Sequence, residues 1–568
     1  MKTHRMAIPR ATCREAWDGI PMSARQEILA EAQALAEGGY PPLPARLYMA
    51  FVRDGSRKTF ETPYFARRQR LIRAVLAECL TYTGQYLDDI IDGLWCICEE
   101  STWCISAHNE SGAPLADVSA PAIDLFAAQT AALLSWTCYL LEDTLLPIVT
   151  ARVETEIRTR ILVPFCTRDD FWWMGVVRKD LNNWTPWILS NVLATAHIWG
   201  EDVDARASTM LQRWLDCIPE DGGLDEGVAY WNMAGGSLLD CLDHLGQDRY
   251  GESKVRNLAA FPLHAHIAGS YFLNFADCDA QPMLDGERVY TFGKRIKNPA
   301  LQALGASLCA QNPSIFPRDT PEFYRTLCRL FIPVDPVPLA PQEEERITLP
   351  NLQLWIRRQG SYYIAVKGGH NGESHNHNDV GAFILFIDGL PAIVDAGNMV
   401  YTAHTFRDET RYTLWNTRSQ NHNVPIIGTH EQAAGASHRA LGVVLESDRV
   451  RMDIARAYPA SASITALHRE FQLLKDGISL TDKITLEYSQ PVEWIFLLRH
   501  APMLRPGEVD AGNVQIRHDE SLSASVDPYP VEDARMARNY PGILYRLTLC
   551  AKPGMEHHQT FLLKKREP

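Results

Sequence analysis

The stretch GESHNHNDVGAFILFIDGLPAIVDAG, residues 372–397, joins a polar loop to two strongly apolar segments. The segments AFILFID and PAIVDAG are rich in β-branched and aromatic residues and are separated by a glycine turn, which predicts two β-strands. The loop before them holds His375 and His377, and on a strand a spacing of two places both side chains on one face. His370 lies just upstream. So many histidines predict a metal site or a proton-transfer site, unless the loop is merely polar.

The sequence before this stretch differs from the sequence after it in the spacing of its apolar residues. Residues 1–335 carry apolar residues at three- and four-residue steps between Pro- and Gly-containing breaks, which predicts a series of helices. Residues 331–350 are rich in proline and charge and read as a linker. Many short alternating segments without intervening helices follow, which indicates an antiparallel β-sandwich or stacked sheets. We therefore predict a multidomain α+β protein with a helical domain at 1–335, arranged as an (α/α) toroid, and an antiparallel β-sheet domain at 336–568.

The overall composition limits the classes of partner. The chain has 568 residues, of which 46% are hydrophobic and 22% charged, and its formal net charge is -14. An acidic surface argues against nucleic acid as a partner, since that binding depends on clustered Lys and Arg. The N-terminal sequence contains no apolar segment typical of a secretory signal, and no apolar run approaches the ~20 residues of a membrane span. The 13 cysteines have no framework spacing and are expected to be reduced. We expect a cytoplasmic protein without a membrane partner, and the sequence leaves a homo-oligomer open.

Two later residues are compatible with a metal site at the histidine loop. Asp395 ends the apolar segment LPAIVDAG, where a carboxylate is costly without a partner, and His422 lies in the polar run TRSQNHNVP. Two histidines and an aspartate suit zinc. The alternative is that Asp395 caps a turn before Gly397 and that His422 is an ordinary loop residue.

The helical half contains polar-aromatic segments of its own. LNNWTPW (181–187) and DEGVAYWNMAGGS (225–237) combine amides or acids with tryptophan and tyrosine, and EESTWCISAHN (99–109) is a third such segment. Exposed tryptophans in a cleft bind sugar rings well. Each segment can also be read structurally, with asparagine as a helix cap and the aromatic residues in the core.

In this order, the motifs NNW, DEGxxYW, GGHNxESHNHNDVGxF, VDAG and SxxHN resemble the heparinase II/III-like polysaccharide lyases over most of the chain. The resemblance implies an N-terminal (α/α) toroid and a C-terminal antiparallel sheet domain. It also implies β-elimination at uronic-acid-containing glycans, which gives 4,5-unsaturated products. Such a lyase must neutralise the uronate carboxylate, remove the C5 proton and protonate the departing glycosidic oxygen. Tyrosine and histidine can do this without an organic cofactor.

The resemblance assigns roles by motif. Asn183 matches the asparagine that neutralises the carboxylate, with Asn182 as a substitute. Tyr230 matches the tyrosine that protonates the leaving oxygen and that can also act as base. His375 matches the catalytic histidine. The sequence leaves open whether His375 or Tyr230 is the base.

Further residues follow from the same comparison. His377, Asp395 and His422 match a metal triad in which zinc is structural, and this metal would hold the loop that carries His375. Several relatives have a second basic histidine directly after the asparagine, where this chain has Trp184, which is a candidate for stacking on a sugar.

Two residues are expected at substrate subsites, Glu226 and His370. Glu373 has two readings: it orients His375, or it is a solvated loop carboxylate.

Two other functions remain as alternatives. One is a glycoside hydrolase on an α/α scaffold that acts on uronides, which would need two opposed carboxyl groups. Asp225 and Glu226 are adjacent in sequence and cannot by themselves supply that pair. The other is an inactive carbohydrate-binding protein, which would keep the tryptophans but would not need Tyr230 or His375.

Overall fold

The computed structural model describes residues 8–36, 38–316, 322–340 and 344–567. Residues 341–343, within the predicted linker, lie outside the described residues. None of the described helices is long and apolar enough to cross a membrane. The α-helices are α1 Arg14–Asp18, α2 Met22–Ala36, α3 Ala45–Asp54, α4 Lys58–Thr81, α5 Leu87–Cys98, α6 Leu125–Leu140, α7 Pro147–Ile157, α8 Val163–Thr167, α9 Trp184–Trp199, α10 Asp204–Cys217, α11 Ser237–Leu245, α12 Ser253–Ala265, α13 Gly286–Arg295, α14 Pro299–Gln311, α15 Phe323–Phe331, α16 Asp408–Arg411 and α17 Met536–Asn539.

The chain divides into two compact units. The helical unit comprises Met1–Ile218, Asn232–Ala259 and Met283–Leu339, and the sheet unit comprises Pro219–Trp231, Ala260–Pro282 and Ala340–Pro568. Two segments that precede the linker in sequence, Pro219–Trp231 and Ala260–Pro282, therefore belong to the sheet unit. The predicted division into a helical domain at 1–335 and a sheet domain at 336–568 assigns both segments to the helical domain.

Helix α6 shows why the helical unit folds as it does. Its sequence LFAAQTAALLSWTCYL is apolar on all sides, and all of its residues are buried. Asp124 caps its N-terminus, because the carboxylate accepts a hydrogen bond from the backbone N–H of Ala127 at 2.7 Å. A helix that is apolar all round belongs in the interior, and α9 packs against it.

The sheet unit is antiparallel throughout. Fifteen strands form one sheet in which the main order is β15-β16-β17-β19-β14-β8-β7-β5-β4-β3, with β9, β11–β13 and β18 joined to its sides. The strands are β1 His266–Ala268, β2 Tyr271–Phe272, β3 Glu344–Leu349, β4 Leu354–Gln359, β5 Tyr362–Lys367, β6 His370–Asn371, β7 Phe383–Ile387, β8 Leu390–Ile393, β9 Pro425–Ile427, β10 Gly435–Arg439, β11 Leu441–Leu445, β12 Arg449–Asp453, β13 Ile464–Leu474, β14 Gly477–Leu498, β15 Pro502–Arg505, β16 Glu508–Ala511, β17 Val514–Arg517, β18 Ser523–Pro530 and β19 Ile543–Lys565.

The long strands β14 and β19 form the spine of this sheet. The first half of β14 pairs with β13, and its second half pairs with β9 and β8, while β19 runs beside it along almost its whole length. One apolar cluster fills the interior, and it includes Phe383 and Leu385 of β7 and Trp494 of β14. The apolar segments quoted from the sequence are thus the buried strands β7 and β8, which anchor the ends of the histidine loop and of the Asp395 segment.

These observations confirm the predicted fold class of a helical N-terminal region followed by a large antiparallel sheet domain. The closure of the helices into an (α/α) toroid stays a prediction.

Candidate active site and metal site

The histidine loop holds His375 in an uncommon backbone conformation. Its φ is +55°, in the left-handed region that non-glycine residues rarely occupy, and such strain is often found at functional sites. Its Nδ1 atom lies 3.1 Å from Oδ2 of Asp277, and its Nε2 atom lies 3.5 Å from Oε1 of Glu226. Both ring nitrogens of His375 therefore face carboxylates.

Tyr230 packs directly on this histidine. The two rings stack with their centroids 4.6 Å apart, and the hydroxyl of Tyr230 lies 3.4 Å from Nδ1 of His375. A second phenol, Tyr401, completes the group, since its hydroxyl is 2.5 Å from that of Tyr230 and 3.5 Å from Nδ1 of His375. Two phenols, an imidazole and two carboxylates thus meet within the sheet unit.

A tight turn brings Tyr230 to this position. The residue ends the short 3-10 helix Val228–Tyr230, which follows Gly227 at a φ of +89°. A Cβ atom on Gly227 would lie 2.7 Å from Cβ of Cys278, so only glycine fits the turn. The backbone N–H of Ala229 donates to Sγ of Cys278 at 3.3 Å, which fastens the turn to the segment that carries Asp277.

Asp277 connects three side chains of the site through hydrogen bonds. Its fully buried carboxylate accepts hydrogen bonds from His375, from Nε2 of His377 at 2.9 Å and from Nη2 of Arg411 at 3.0 Å. Burial opposes its ionisation, but the hydrogen bonds from both histidines and the charge of Arg411 hold the pKa of Asp277 well below its usual range. Asp277 is therefore a charged anchor that fixes one ring nitrogen of each histidine.

The protonation of the other groups follows from their surroundings. Burial would lower the pKa of His375, but the hydrogen bond to Asp277 and the charge of Glu226 outweigh it and raise that pKa. Burial, followed by the neighbouring phenol of Tyr401, raises the pKa of Tyr230 well above its usual value. Tyr230 is therefore a protonated phenol beside a histidine that favours its charged form.

His377, Asp395 and His422 form a buried group that could hold a metal ion. One ligand atom from each residue lies within 4.8 Å of the others. Nε2 of His422 lies 2.9 Å from the backbone carbonyl oxygen of Asn416, which can only accept, so Nε2 is the nitrogen that donates a hydrogen. The other ring nitrogen, Nδ1, faces Oδ2 of Asp395 at 2.8 Å. Nδ1 of His377 has no hydrogen-bond partner among the described residues.

The predicted substrate residues of the histidine region take different positions. Glu226 is buried against His375. His370 lies on β6, half-buried, and its Nδ1 accepts a hydrogen bond from the backbone of Gly372 at 3.2 Å. Neither reading of Glu373 holds, because this carboxylate is buried and forms an ion pair with Lys367 at 3.0 Å.

Asn182, Asn183 and Trp184 belong to the helical unit, where they open helix α9. The side chain of Asn182 accepts a hydrogen bond from the backbone N–H of Trp184, and the buried Asn183 makes no side-chain capping bond to the described helix. The ring of Trp184 contacts Trp172 at 5.1 Å and His108 at 4.7 Å between centroids. The structure thus brings the segments 99–109 and 181–187 together around Trp184.

Three residues of the site, Asp277, Tyr401 and Arg411, were not identified from the sequence. Asp277 lies in SYFLNFADCDAQP, within the part of the sequence that predicts helices, although two acids in so apolar a segment are an unusual pattern. Tyr401 and Arg411 follow the VDAG motif within NMVYTAHTFRDETRY, where nothing in the spacing distinguishes them from loop residues.

Comparison with known proteins agrees with this architecture. The family model described as "Heparinase II/III-like, C-terminal" matches residues 344–527. No curated protein sequence matches the chain significantly.

Among solved structures, a heparinase III, the BT4657 gene product, is 12% identical with a TM-score of 0.64 and covers 100% of this chain and 87% of its own. The heparan sulfate lyase HepC from Pedobacter heparinus is 13% identical with a TM-score of 0.56 and covers 97% of this chain and 84% of its own. The chondroitin AC lyase of Streptomyces coelicolor A3, in complex with chondroitin sulphate, is 12% identical with a TM-score of 0.51, and the match covers 97% of this chain and 82% of the chondroitin lyase chain. The resemblance to the heparinase II/III-like family is therefore confirmed over residues 344–527, which match the model of that family's C-terminal domain, and the solved lyases have a similar fold.

Proposed function

We propose that this protein is a polysaccharide lyase that cleaves uronic-acid-containing glycans by β-elimination and leaves 4,5-unsaturated ends. The observation that carries the proposal is the contact between the hydroxyl of Tyr230 and Nδ1 of His375, with Asp277 behind the histidine. The likeness to heparinase III and to the heparan sulfate and chondroitin AC lyases supports the same chemistry.

Tyr230 is the group best suited to proton transfer. Its raised pKa keeps the phenol protonated, so that it can give a proton to the departing glycosidic oxygen. His375 is poorly placed to act as base, because both of its nitrogens face carboxylates. We assign to His375 a charged, hydrogen-bonding role beside Tyr230, and Glu226 and Asp277 hold it in place.

The uronate carboxylate needs its own partner. An amide that donates to the carboxylate stabilises the enolate that develops when the C5 proton leaves. We propose Asn183 for this role, with Asn182 as a substitute, and Trp184 and His370 as substrate contacts. These roles rest on the motif resemblance.

The donor set at His377, Asp395 and His422 fits zinc. Each histidine uses Nε2 on an acceptor, Asp277 or the carbonyl of Asn416, which leaves Nδ1 for a metal. Histidine ligands in zinc sites commonly have such partners on their second nitrogen. We propose that zinc bound here is structural and holds the loop that carries His375, and the chemistry needs no organic cofactor.

Glycosaminoglycan fragments are the substrates that we propose first. The names of the similar lyases, and the chondroitin sulphate bound in one of them, point to this class. The acidic chain would bind such anions through local groups rather than through its net charge of -14.

The test is a panel of chondroitin, heparan sulfate and alginate oligosaccharides, followed by near-ultraviolet absorbance, where the unsaturated product absorbs. We expect a rise with at least one oligosaccharide and its near-complete loss in Tyr230→Phe. Tyr363→Phe is the control, because its buried hydroxyl has no hydrogen-bond partner among the described residues. Cleavage without a new chromophore would indicate a hydrolase, and binding without cleavage would indicate a carbohydrate-binding protein.

A further inference from the structure

We propose that Arg535 binds an anionic group of the glycan, a sulfate ester or a second carboxylate, on the sugar next to the reacting uronate. The inference rests on the proposed lyase function and deepens it, because it names a residue that selects the substrate and the substituent that it selects. Arg535 lies in the segment between β18 and β19, beyond residues 344–527 that match the family model. The observation that carries the inference is a cation with a spare hydrogen-bond donor beside the phenols of the site.

Arg535 lies at the edge of the group of phenols. The central carbon of its guanidinium is 5.1 Å from the ring centroid of Tyr401, whose hydroxyl contacts that of Tyr230. Its Nε and Nη2 atoms donate to the carboxylate of Asp279 at 3.3 and 3.2 Å. The side chain of Arg535 is 23% exposed, and both phenols are partly exposed as well. A glycan that contacts the hydroxyl of Tyr230 therefore passes close to this charge.

Arg411 and His375, the other cationic side chains described at the site, have their nitrogens engaged within the protein. All three guanidinium nitrogens of the buried Arg411 donate to backbone carbonyls or to Asp277. Both ring nitrogens of His375 face carboxylates. Nη1 of Arg535, by contrast, makes no hydrogen bond with any residue that the structure describes. Arg535 is therefore the cation of this group that can donate directly to an anion of the substrate.

The backbone around Arg535 is fixed to the segment that carries Tyr401. The carboxylate of Asp533 accepts hydrogen bonds from the backbone N–H of Val400 at 3.1 Å and from that of Arg535 at 2.9 Å. The side-chain amide of Asn539 donates to Asp279 at 3.1 Å, so the partner of the guanidinium is held from a second side. A planar guanidinium that is already oriented loses little conformational freedom when it binds an anion.

The charges of the site call for such a cation. The chain has a net charge of -14, and the carboxylates of Glu226, Asp277 and Asp279 lie in the same region. An acidic glycan is repelled by these carboxylates unless a cation faces its own anionic groups. Burial opposes the charge of Arg535, but the charge of Asp279, followed by the neighbouring phenols, raises the pKa of the guanidinium, which therefore stays cationic.

The position of Arg535 indicates which anion it meets. The carboxylate of the reacting uronate is assigned to Asn183, and the ring of Tyr401 separates the guanidinium from the hydroxyl of Tyr230. One aromatic ring is comparable in size to one sugar ring, so the guanidinium faces the neighbouring sugar. In a sulfated glycosaminoglycan that sugar carries sulfate esters, and in a polyuronate it carries a carboxylate. Both groups present oxygen atoms that match a guanidinium.

The experiment compares Arg535→Met with Arg449→Met in the full-length protein. Arg449 is a matched control, because its Nε and Nη2 atoms also donate to one carboxylate, that of Glu446, on a strand outside the site. The probes are a sulfated chondroitin, an unsulfated chondroitin and an alginate hexasaccharide. For Arg535→Met we expect KM to rise about tenfold and kcat to change less than about threefold, because a partly exposed charge-assisted hydrogen bond is lost. Arg449→Met should keep both constants.

The pattern across the probes identifies the anion. A rise in KM confined to the sulfated hexasaccharide identifies a sulfate ester, and an equal rise on all cleaved probes identifies a carboxylate. In either case KM should depend less on salt concentration in Arg535→Met than in Arg449→Met, because salt screens only a charge that is present. Unchanged KM on every cleaved probe, or a fall in kcat alone, would overturn the inference and leave the lyase function standing.

Two further measurements keep the test decisive. Arg535→Gln removes the charge but keeps an amide donor for Asp279, so it replaces Arg535→Met with the same expected result if the methionine variant does not fold. Absence of elimination in the unmodified protein would overturn the proposed function. Calorimetric binding of the three hexasaccharides to Tyr230→Phe, with and without Arg535→Met, then tests the contact without turnover: about tenfold weaker binding supports it, and equal binding overturns it.

Discussion

Replacement of Asp277 by asparagine tests how the site is held together. The carboxylate accepts hydrogen bonds from His375, His377 and Arg411 at 2.9–3.1 Å, and asparagine cannot satisfy all three donors. Each charge-assisted bond contributes about 1.5–3 kcal/mol. If the bond to His375 is lost in the transition state, kcat should fall about 10- to 150-fold, since ~1.4 kcal/mol is a tenfold change in rate. The variant also leaves Arg411 as an uncompensated buried charge, at a cost of about 3–5 kcal/mol in stability.

The assay measures initial rates by near-ultraviolet absorbance, with thermal unfolding followed in parallel. Asp240→Asn is the control, because Asp240 is equally buried and accepts hydrogen bonds from Arg288 and Arg325 inside the helical unit. We expect both variants to be destabilised, and only Asp277→Asn to lose kcat per folded molecule. Equal activity in the two variants would refute the assignment of Asp277 as the residue that positions His375.

Three further predictions follow from the same geometry. Gly227→Ala should lower the free energy of unfolding by about 1–3 kcal/mol and also lower kcat, because a Cβ atom would meet Cys278 and displace Tyr230. The control Gly360→Ala has a φ of +54° and open space around it, so it should lose only the stability that backbone strain costs and should keep kcat; initial rates and thermal unfolding measure both variants. Purified protein should contain stoichiometric zinc by elemental analysis and lose it in His422→Ala with a lower melting temperature, whereas a metal-free protein of intact fold would contradict the zinc proposal. Asn183→Ala should reduce kcat about 10²–10³-fold in the absorbance assay, as removal of an oxyanion donor does, and an unchanged kcat would remove Asn183 from the carboxylate-neutralising role.

The sequence predicted the parts of the protein that depend on local pattern. The alternation of apolar residues indicated the buried strands β7 and β8, and the three-residue and four-residue steps indicated the helices. The spacing of His375 and His377, with Asp395 at a strand end, identified residues that the structure places in two neighbouring groups.

What the sequence did not reveal depends on long-range packing. Asp277 and the turn of Tyr230 lie among helices in sequence but belong to the sheet unit, and no local pattern reports such a return of the chain. Tyr401 was missed for the same reason, since its partner hydroxyl is 171 residues away in sequence. The ion pair of Glu373 with Lys367 was not predicted either, because Lys367 lies on a strand whose pattern indicates only packing.

The elimination chemistry is tested by the initial rate of unsaturated product formation by the unmodified protein and by Tyr230→Phe. We expect the unmodified protein to generate the near-ultraviolet chromophore from at least one uronate oligosaccharide, Tyr230→Phe to generate none, and Tyr363→Phe to generate it as the unmodified protein does. A chromophore formed equally fast by Tyr230→Phe would contradict the role of the phenol that touches His375. No chromophore from any oligosaccharide of the panel would contradict the elimination itself.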